Sequence, residues 1–209
     1  NVPIWHRSQV LAALAKDKKT IAISGTHGKT TTTAMIGKLF IDSKTDPSIV
    51  LGGILPLLQS NCRPGSGDYF IAEADEYDRS FLKLSPDVAI ISSMDADHLD
   101  IYGTAENMEQ AFIDFSARIK PGGLLLSKYG LKRTDDLKAH EHLTFHLQNE
   151  NASVYAANIK INRGSYQFDV LMQYWELKDV LLNMGGLHNI ENMIAAISVA
   201  HYLGIDNDK

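Results

Sequence analysis

The stretch Ile21-Ala22-Ile23-Ser24-Gly25-Thr26-His27-Gly28-Lys29-Thr30-Thr31 runs from a β-branched apolar segment into two glycines, a lysine and a cluster of hydroxyls. That order suits phosphate binding. Gly25 and Gly28 allow a tight turn that can aim main-chain N–H groups at an anion, and a helix starting near Lys29 adds its positive end to the same cradle. Lys29 is long enough to reach β- and γ-phosphates, Thr30 can place its hydroxyl on Mg²⁺, and Thr26, His27 and Thr31 belong to the same loop. The general phosphate loop carries another glycine five positions before Gly28, where Ile23 stands, so this is the shortened G-x-x-G-K-T form. Lys29 is read as an exposed loop side chain whose removal leaves the fold intact.

Three further segments carry usable chemistry. Tyr69-Phe70-Ile71-Ala72-Glu73 is an apolar strand ending in an acid, followed by Asp75, Glu76 and Asp78. Ligands of α/β sheets sit at the carboxyl ends of strands, and an acid there can hold Mg²⁺, which takes one or two carboxylates alongside phosphate oxygens. Glu73 is best placed for this. Asp75, Glu76 and Asp78 read equally well as a solvated loop. The run Val88 to Ser93 delivers Asp95, Asp97, His98 and Asp100 to the same edge. His98 reads either as a ligand of a second metal or as a packing or hydrogen-bonding side chain, with Asp97 or Asp100 orienting it or capping the next turn. In Gly185-Gly186-Leu187-His188-Asn189-Ile190-Glu191-Asn192 the asparagines lie three apart on one helical face. They serve either as a helix cap or as amides suited to an adenine edge. Cys62 has no recognisable partner and reads as an incidental thiol.

The elements that must position these groups follow from hydrophobic spacing. Apolar runs at Thr20 to Ser24, Ile49 to Leu51, Tyr69 to Ala72, Val88 to Ser92 and Leu124 to Ser127 alternate with helical patterns. The helical patterns cover Ser8 to Ala15, Lys29 to Asp42, Ala105 to Ile119 and His188 to Leu203, with Gly204 as the last stop. The pattern predicts an α/β fold, a P-loop-type, mostly parallel sheet with helices on both faces. Over residues 150–185 the texture changes to strand-like alternation at Val154 to Ile161, Tyr166 to Met172 and Val180 to Asn183, with a hairpin turn at Asn162-Arg163-Gly164. A small antiparallel sheet is predicted there.

Composition narrows the class. The 209 residues are 44% hydrophobic and 22% charged, enough for one substantial core. Twenty Lys+Arg against 25 Asp+Glu give a net charge of −5, with no basic block, which points away from a nucleic-acid partner. No apolar run approaches the roughly 18 residues of a membrane span, and a single cysteine excludes an internal disulfide. The cytoplasm is the expected compartment. With no initiator Met or signal pattern at Asn1, the chain reads as excised from something longer.

With these segments together, the chain resembles the Mur ligases, ATP-dependent amide-forming enzymes of peptidoglycan precursor synthesis. The resemblance rests on GTHGKTTTT at Gly25 to Thr33, EADEYDRSF at Glu73 to Phe81, DADHLDIYG at Asp95 to Gly103 and GLHNIEN at Gly186 to Asn192, in that order. It implies that residues 1–209 are the central ATPase domain, with an N-terminal UDP-binding domain and a C-terminal domain lying elsewhere. By resemblance Lys29 holds the phosphates, Thr30 and Glu73 hold one Mg²⁺, and His98 holds a second cation. His188, Asn189 and Asn192 face the adenine of ATP, and Gly52, Gly53 and Asn61 match a segment that approaches the muramoyl substrate. The wording is most similar to the branch that joins L-alanine to UDP-N-acetylmuramate through an acyl phosphate. Several other branches use a carbamylated lysine after the metal-binding histidine, and no Lys occurs between His98 and Lys120. The alternatives are a murein-peptide recycling ligase, a folylpolyglutamate synthase and a nucleotide-binding module without turnover.

Overall fold

Strand residues of alternating parity face two different helical layers, and this two-sided burial organises the molecule. The computed structural model describes residues 4–55, 58–95, 97 and 99–205, with the backbone alone for Asp78 and Leu99. In chain order, α1 (Arg7–Ala15) leads to β1 (Lys19–Ser24), α2 (Lys29–Asp42), β2 (Ser48–Leu55), β3 (Ser60–Arg63) and β4 (Tyr69–Glu73). A 3₁₀ segment at Tyr77–Lys83 precedes β5 (Val88–Ile91), the short α3 (Leu99–Tyr102), α4 (Ala105–Ser116), β6 (Leu124–Lys128) and β7 (Glu141–His146). Then come β8 (Val154–Asn162), β9 (Ser165–Met172), β10 (Trp175–Leu182) and α5 (Leu187–Tyr202).

One ten-stranded sheet runs in the order β10-β9-β8-β7-β6-β5-β1-β4-β2-β3. Neighbouring strands from β8 across to β2 pair in parallel, β3 pairs antiparallel with β2 at one edge, and at the other β9 pairs antiparallel with both β8 and β10. Ile21, Ile23, Ile71, Ile90 and Leu126 pack toward α2 and α5, whose Ile36, Phe40, Ile190 and Ile194 complete that core. Their neighbours Ala22, Phe70, Ala72, Ile91 and Leu125 pack on the opposite face with Ala15 of α1, Phe81 of the 3₁₀ segment and Phe112 and Phe115 of α4.

From β1 the chain crosses through α2 to β2, returns to β4 beside β1, and then places β5 on the other side of β1. The order therefore reverses around β1, which opens a crevice at the carboxyl ends of β1, β4 and β5.

α2 spans the range expected from its pattern, and α4 ends three residues early, with its last turn continued by Arg118 N–H to Phe115 and Ile119 N–H to Ser116 carbonyls. Two strands carry no apolar run and escape the pattern. β3 is the polar edge strand Ser60-Asn61-Cys62-Arg63, and β7 interleaves Glu141, His142, Thr144 and His146 with its apolar residues. β10 begins at Trp175, ahead of the expected Val180, because a register shift between Leu177 and Val180 breaks the two-residue alternation.

The antiparallel portion is joined to the parallel sheet through β8, which pairs with β7 at Phe145–Val154 and His146–Tyr155. Arg163 (φ 49°) and Gly164 (φ 88°) close the β8–β9 hairpin between the paired Asn162 and Ser165, both in the left-handed region of a type I′ turn. Two bulges flank β9, with Asn158 (φ 52°) on β8 and Asp179 (φ 57°) on β10. Asp169 ties them together: its carboxylate accepts from Asn158 Nδ2 at 2.6 Å and from the Asp179 N–H at 2.9 Å. The Asn158 amide first, then the Asp179 N–H, hold the Asp169 carboxyl below its ordinary value. A lowered native-state value contributes stability above the ordinary aspartate range that is lost as pH falls through the lowered one. Asp169→Ala is therefore expected to lower the melting temperature at neutral pH while weakening the acid dependence of stability, which thermal unfolding between pH 7 and pH 3 measures.

Candidate functional site

The loop after β1 is shaped by contacts with the end of β5. Gly25 (φ 129°) is buried where any Cβ would sit 2.3 Å from Ser92 Oγ and 2.8 Å from the Ser93 nitrogen. Ser92 Oγ donates toward the His27 carbonyl at 2.5 Å and lies 3.2 Å from that of Ser24. Ser93 Oγ accepts from the His27 N–H at 2.9 Å and pairs with Thr26 Oγ1 at 2.8 Å. One loop N–H thus points to a serine on the neighbouring strand, and the cradle's inward donors come from the first turn of α2, whose N–H groups have no intrahelical acceptor. Gly28 (φ 81°) is the N-cap of that helix. The His27 ring is exposed, with Nε2 3.8 Å from Asp95 Oδ2.

Three elements converge beside the helix start. Thr30 Oγ1 donates to the Glu73 carboxylate, with distances of 3.1 and 3.0 Å to its two oxygens, and the Gly52 N–H donates to Glu73 Oε2 at 2.7 Å. A Cβ at Gly52 would come within 3.0 Å of Glu73 Oε1, and one at Gly53 would lie 3.8 Å from Thr30 Cγ2. The glycines ending the buried part of β2 thus leave room for the acid. Thr30 and Glu73 form a set of hard oxygen donors open to solvent, which fits Mg²⁺ carried by phosphates. Among the described residues no group of three or more His, Cys, Asp or Glu could hold a metal by itself.

Lys29 departs from the expectation of an exposed loop side chain. Its ammonium donates to the Gly25 carbonyl at 2.9 Å and to Glu76 Oε1 at 2.6 Å; the Lys29 side chain is 16% exposed and that of Glu76 only 1%. Of the two readings of the acidic run, Asp75 follows the solvated one, with its side chain accepting the Tyr77 N–H at 3.1 Å. Glu76 is buried and faces the phosphate loop. The sequence signals only a run of acids here. What selects Glu76 is the 3₁₀ segment beginning at Tyr77, which packs Phe81 against the rings of Phe112 and Phe115. Ser92 and Ser93 are further site residues that the motifs do not select, although two serines ending an apolar strand are a usable signal.

The start of α5 closes the other side. A Cβ at Gly28 would lie 2.8 Å from Asn192 Oδ1, so this asparagine abuts the phosphate loop. Asn192 Nδ2 donates to Asn189 Oδ1 at 3.3 Å, and Asn189, buried, donates to the Gly185 carbonyl at 2.6 Å, closing the turn before the helix. His188 is exposed and folds back over Gly186. Asn61 is exposed on the edge strand β3, and among the described residues no hydrogen bond or ion pair links it to the phosphate loop. His98 lies outside the described residues, so its expected metal role has no geometry to report.

Fold and loop together define a P-loop-type α/β domain with a site at the carboxyl ends of β1, β4 and β5. The family described as Mur ligase middle domain matches residues 23–200, and the chain belongs to that family. A curated UDP-N-acetylmuramate--L-alanine ligase from Dictyoglomus turgidum is 39% identical over 99% of this chain and 45% of its own length. The chain thus spans about half the length of the curated relatives it matches. Among solved structures, UDP-N-acetylmuramate-alanine ligase from Thermotoga maritima superposes with a TM-score of 0.80 at 27% identity, over 94% of this chain and 44% of that one. UDP-N-acetylmuramate:L-alanyl-gamma-D-glutamyl-meso-diaminopimelate ligase from Neisseria meningitides shares the fold with a TM-score of 0.83 at 23% identity, over 96% and 66%.

Ser93→Ala removes the acceptor of the His27 N–H at the buried base of the loop. The expected cost is about 0.5–1.5 kcal/mol, that of one lost hydrogen bond at a part-buried donor, and chemical denaturation measures it.

Proposed function

We propose that this chain is the nucleotide-handling domain of an ATP-dependent ligase that joins L-alanine to UDP-N-acetylmuramate in peptidoglycan precursor synthesis. The observation that carries the nucleotide part is the meeting of Lys29, Thr30 and Glu73 at the mouth of one loop. The ligase part rests on the Mur ligase middle-domain match and on the relative from Dictyoglomus turgidum. On this reading residues 1–209 act as the central domain, and a UDP-binding domain and a closing C-terminal domain complete the site. On this reading the protein works in the cytoplasm, where ATP is supplied. No helix among the described residues is long and apolar enough to cross a membrane.

A carboxylate is a poor acyl donor because its oxygen leaves badly. Transfer of the ATP γ-phosphoryl group to a muramoyl carboxylate oxygen releases ADP and gives an acyl phosphate. The amine of L-alanine then attacks the carbonyl carbon, phosphate leaves with the C–O electrons, and the nitrogen loses a proton. The protein's part is to bring two anions together and spread their charge. Lys29 holds the β- and γ-phosphates, aided by the N–H groups at the start of α2. Thr30 and Glu73 would hold a Mg²⁺ that offsets phosphate charge, and His98 is assigned a second cation. Asn192, with Asn189 and His188, borders the adenine, and Gly53 and Asn61 border the muramoyl substrate.

The direct test is amino-acid-dependent phosphate release by the full-length protein, comparing L-alanine, L-serine, glycine and the murein tripeptide. Release that depends on L-alanine and UDP-N-acetylmuramate supports this reading. Preference for the tripeptide assigns the chain to the recycling ligases, and nucleotide binding without release makes it a binding module.

Glu73→Gln keeps the acceptor for the Gly52 N–H while removing the charge. Titration calorimetry is expected to show a loss of at least about tenfold in affinity for the Mg²⁺-nucleotide complex and little change for metal-free nucleotide. Equal losses in both titrations assign Glu73 a structural role.

A further inference from the structure

We propose that Glu76 is the positioning residue of Lys29, a fixed carboxylate that anchors the ammonium at the loop mouth and that incoming phosphates must compete with. The proposal rests on Lys29 being the phosphate-binding lysine and adds a residue that governs it. Lys29 Nζ meets Glu76 Oε1 at 2.6 Å while also donating to the Gly25 carbonyl at 2.9 Å. The two partners differ in freedom. The Glu76 carbonyl accepts the Tyr102 hydroxyl at 2.5 Å, and the 3₁₀ segment that follows is anchored by Phe81 at 4.9 Å from the Phe115 ring and 5.5 Å from that of Phe112. The backbone that carries Glu76 is thus fixed and its side chain is 1% exposed, whereas the Lys29 ammonium ends a four-carbon stem that is 16% exposed.

Two consequences follow from this asymmetry. Two hydrogen bonds order the ammonium without help from a phosphate, so little side-chain freedom is lost on binding. Its attraction to phosphate is also opposed by a neighbouring negative charge, which weakens ground-state nucleotide binding. Neutralising that charge deepens the ground state without an equal gain in the transition state, and the chemical step then slows. A merely structural Glu76 moves affinity and turnover in the same unfavourable direction; a positioning Glu76 moves them apart.

The test is Glu76→Gln in the full-length protein. The expected result is a roughly three- to tenfold tighter dissociation constant for metal-free ADP by calorimetry, together with a lower kcat in phosphate release. Unchanged or weaker ADP binding overturns the proposal. A second measurement needs no ligand, so it stands even if the ligase reading fails. Lys29→Met removes the ammonium bonded to the buried Glu76 carboxylate and is expected to lower the melting temperature, and Lys29→Met combined with Glu76→Gln is expected to recover most of that loss. Additive losses in the double variant overturn the coupling of the two side chains, whatever the protein binds.

Discussion

The immobility of β1 is the constraint on which the rest depends. From Thr20 to Ser24 no residue is more than 1% exposed, and the strand is hydrogen-bonded along both edges, to β4 and to β5. Its carboxyl end can neither rotate nor slide, because a one-residue slip would turn Ile21 and Ile23 away from α2 and α5 and move Ala22 into their place. Three chain segments leave this fixed edge together: the phosphate loop from β1, the acidic run from β4 and the serine pair from β5. Their separations are set by the sheet spacing, and the site inherits its precision from the core beneath it.

Much of this was legible in the sequence because strand ends and helix starts carry local signals. Gly25, Gly28, Lys29 and Thr30 lie within one strand-loop-helix pattern, and Glu73 ends an apolar run, so chemistry and position are written in adjacent residues. Glu76 was not legible, since its burial depends on Phe81 reaching Phe112 and Phe115, more than 30 positions further along the chain. The same holds for Ser92 and Ser93, whose partners Ser24, Thr26 and His27 are 65 to 68 positions away. At the sheet's margins the obstacle was different. β3 needs few apolar residues at an edge, and the bulge at Asp179 shifts the alternation by which β10 would be recognised.

The site also shows why a buried ion pair need not be judged by stability alone. Desolvating Lys29 and Glu76 offsets much of their attraction, so the pair adds little net stability, yet removing one partner leaves the other's charge in a poor medium. Such a pair adds little while intact and costs much to break, which makes it a good holder for a side chain that must keep one position.

Charge balance gives the last step. At the loop mouth Lys29 is bonded to the Glu76 carboxylate, and its neighbour Thr30 to that of Glu73. The Lys29 ammonium is thus matched by one carboxylate, while the other, Glu73, has a hydroxyl and a main-chain N–H as its partners. Under the proposed function the imbalance has a use. Glu73 faces Thr30 at the solvent-exposed edge while Glu76 is buried behind Lys29, so the two acids divide the work between an incoming cation and a resident one. Nucleotide arriving with Mg²⁺ meets complementary charge at Glu73, whereas metal-free nucleotide gains nothing from that carboxylate. Discrimination for the metal complex then comes from the placement of two carboxylates at the end of one strand, with no dedicated metal cage required.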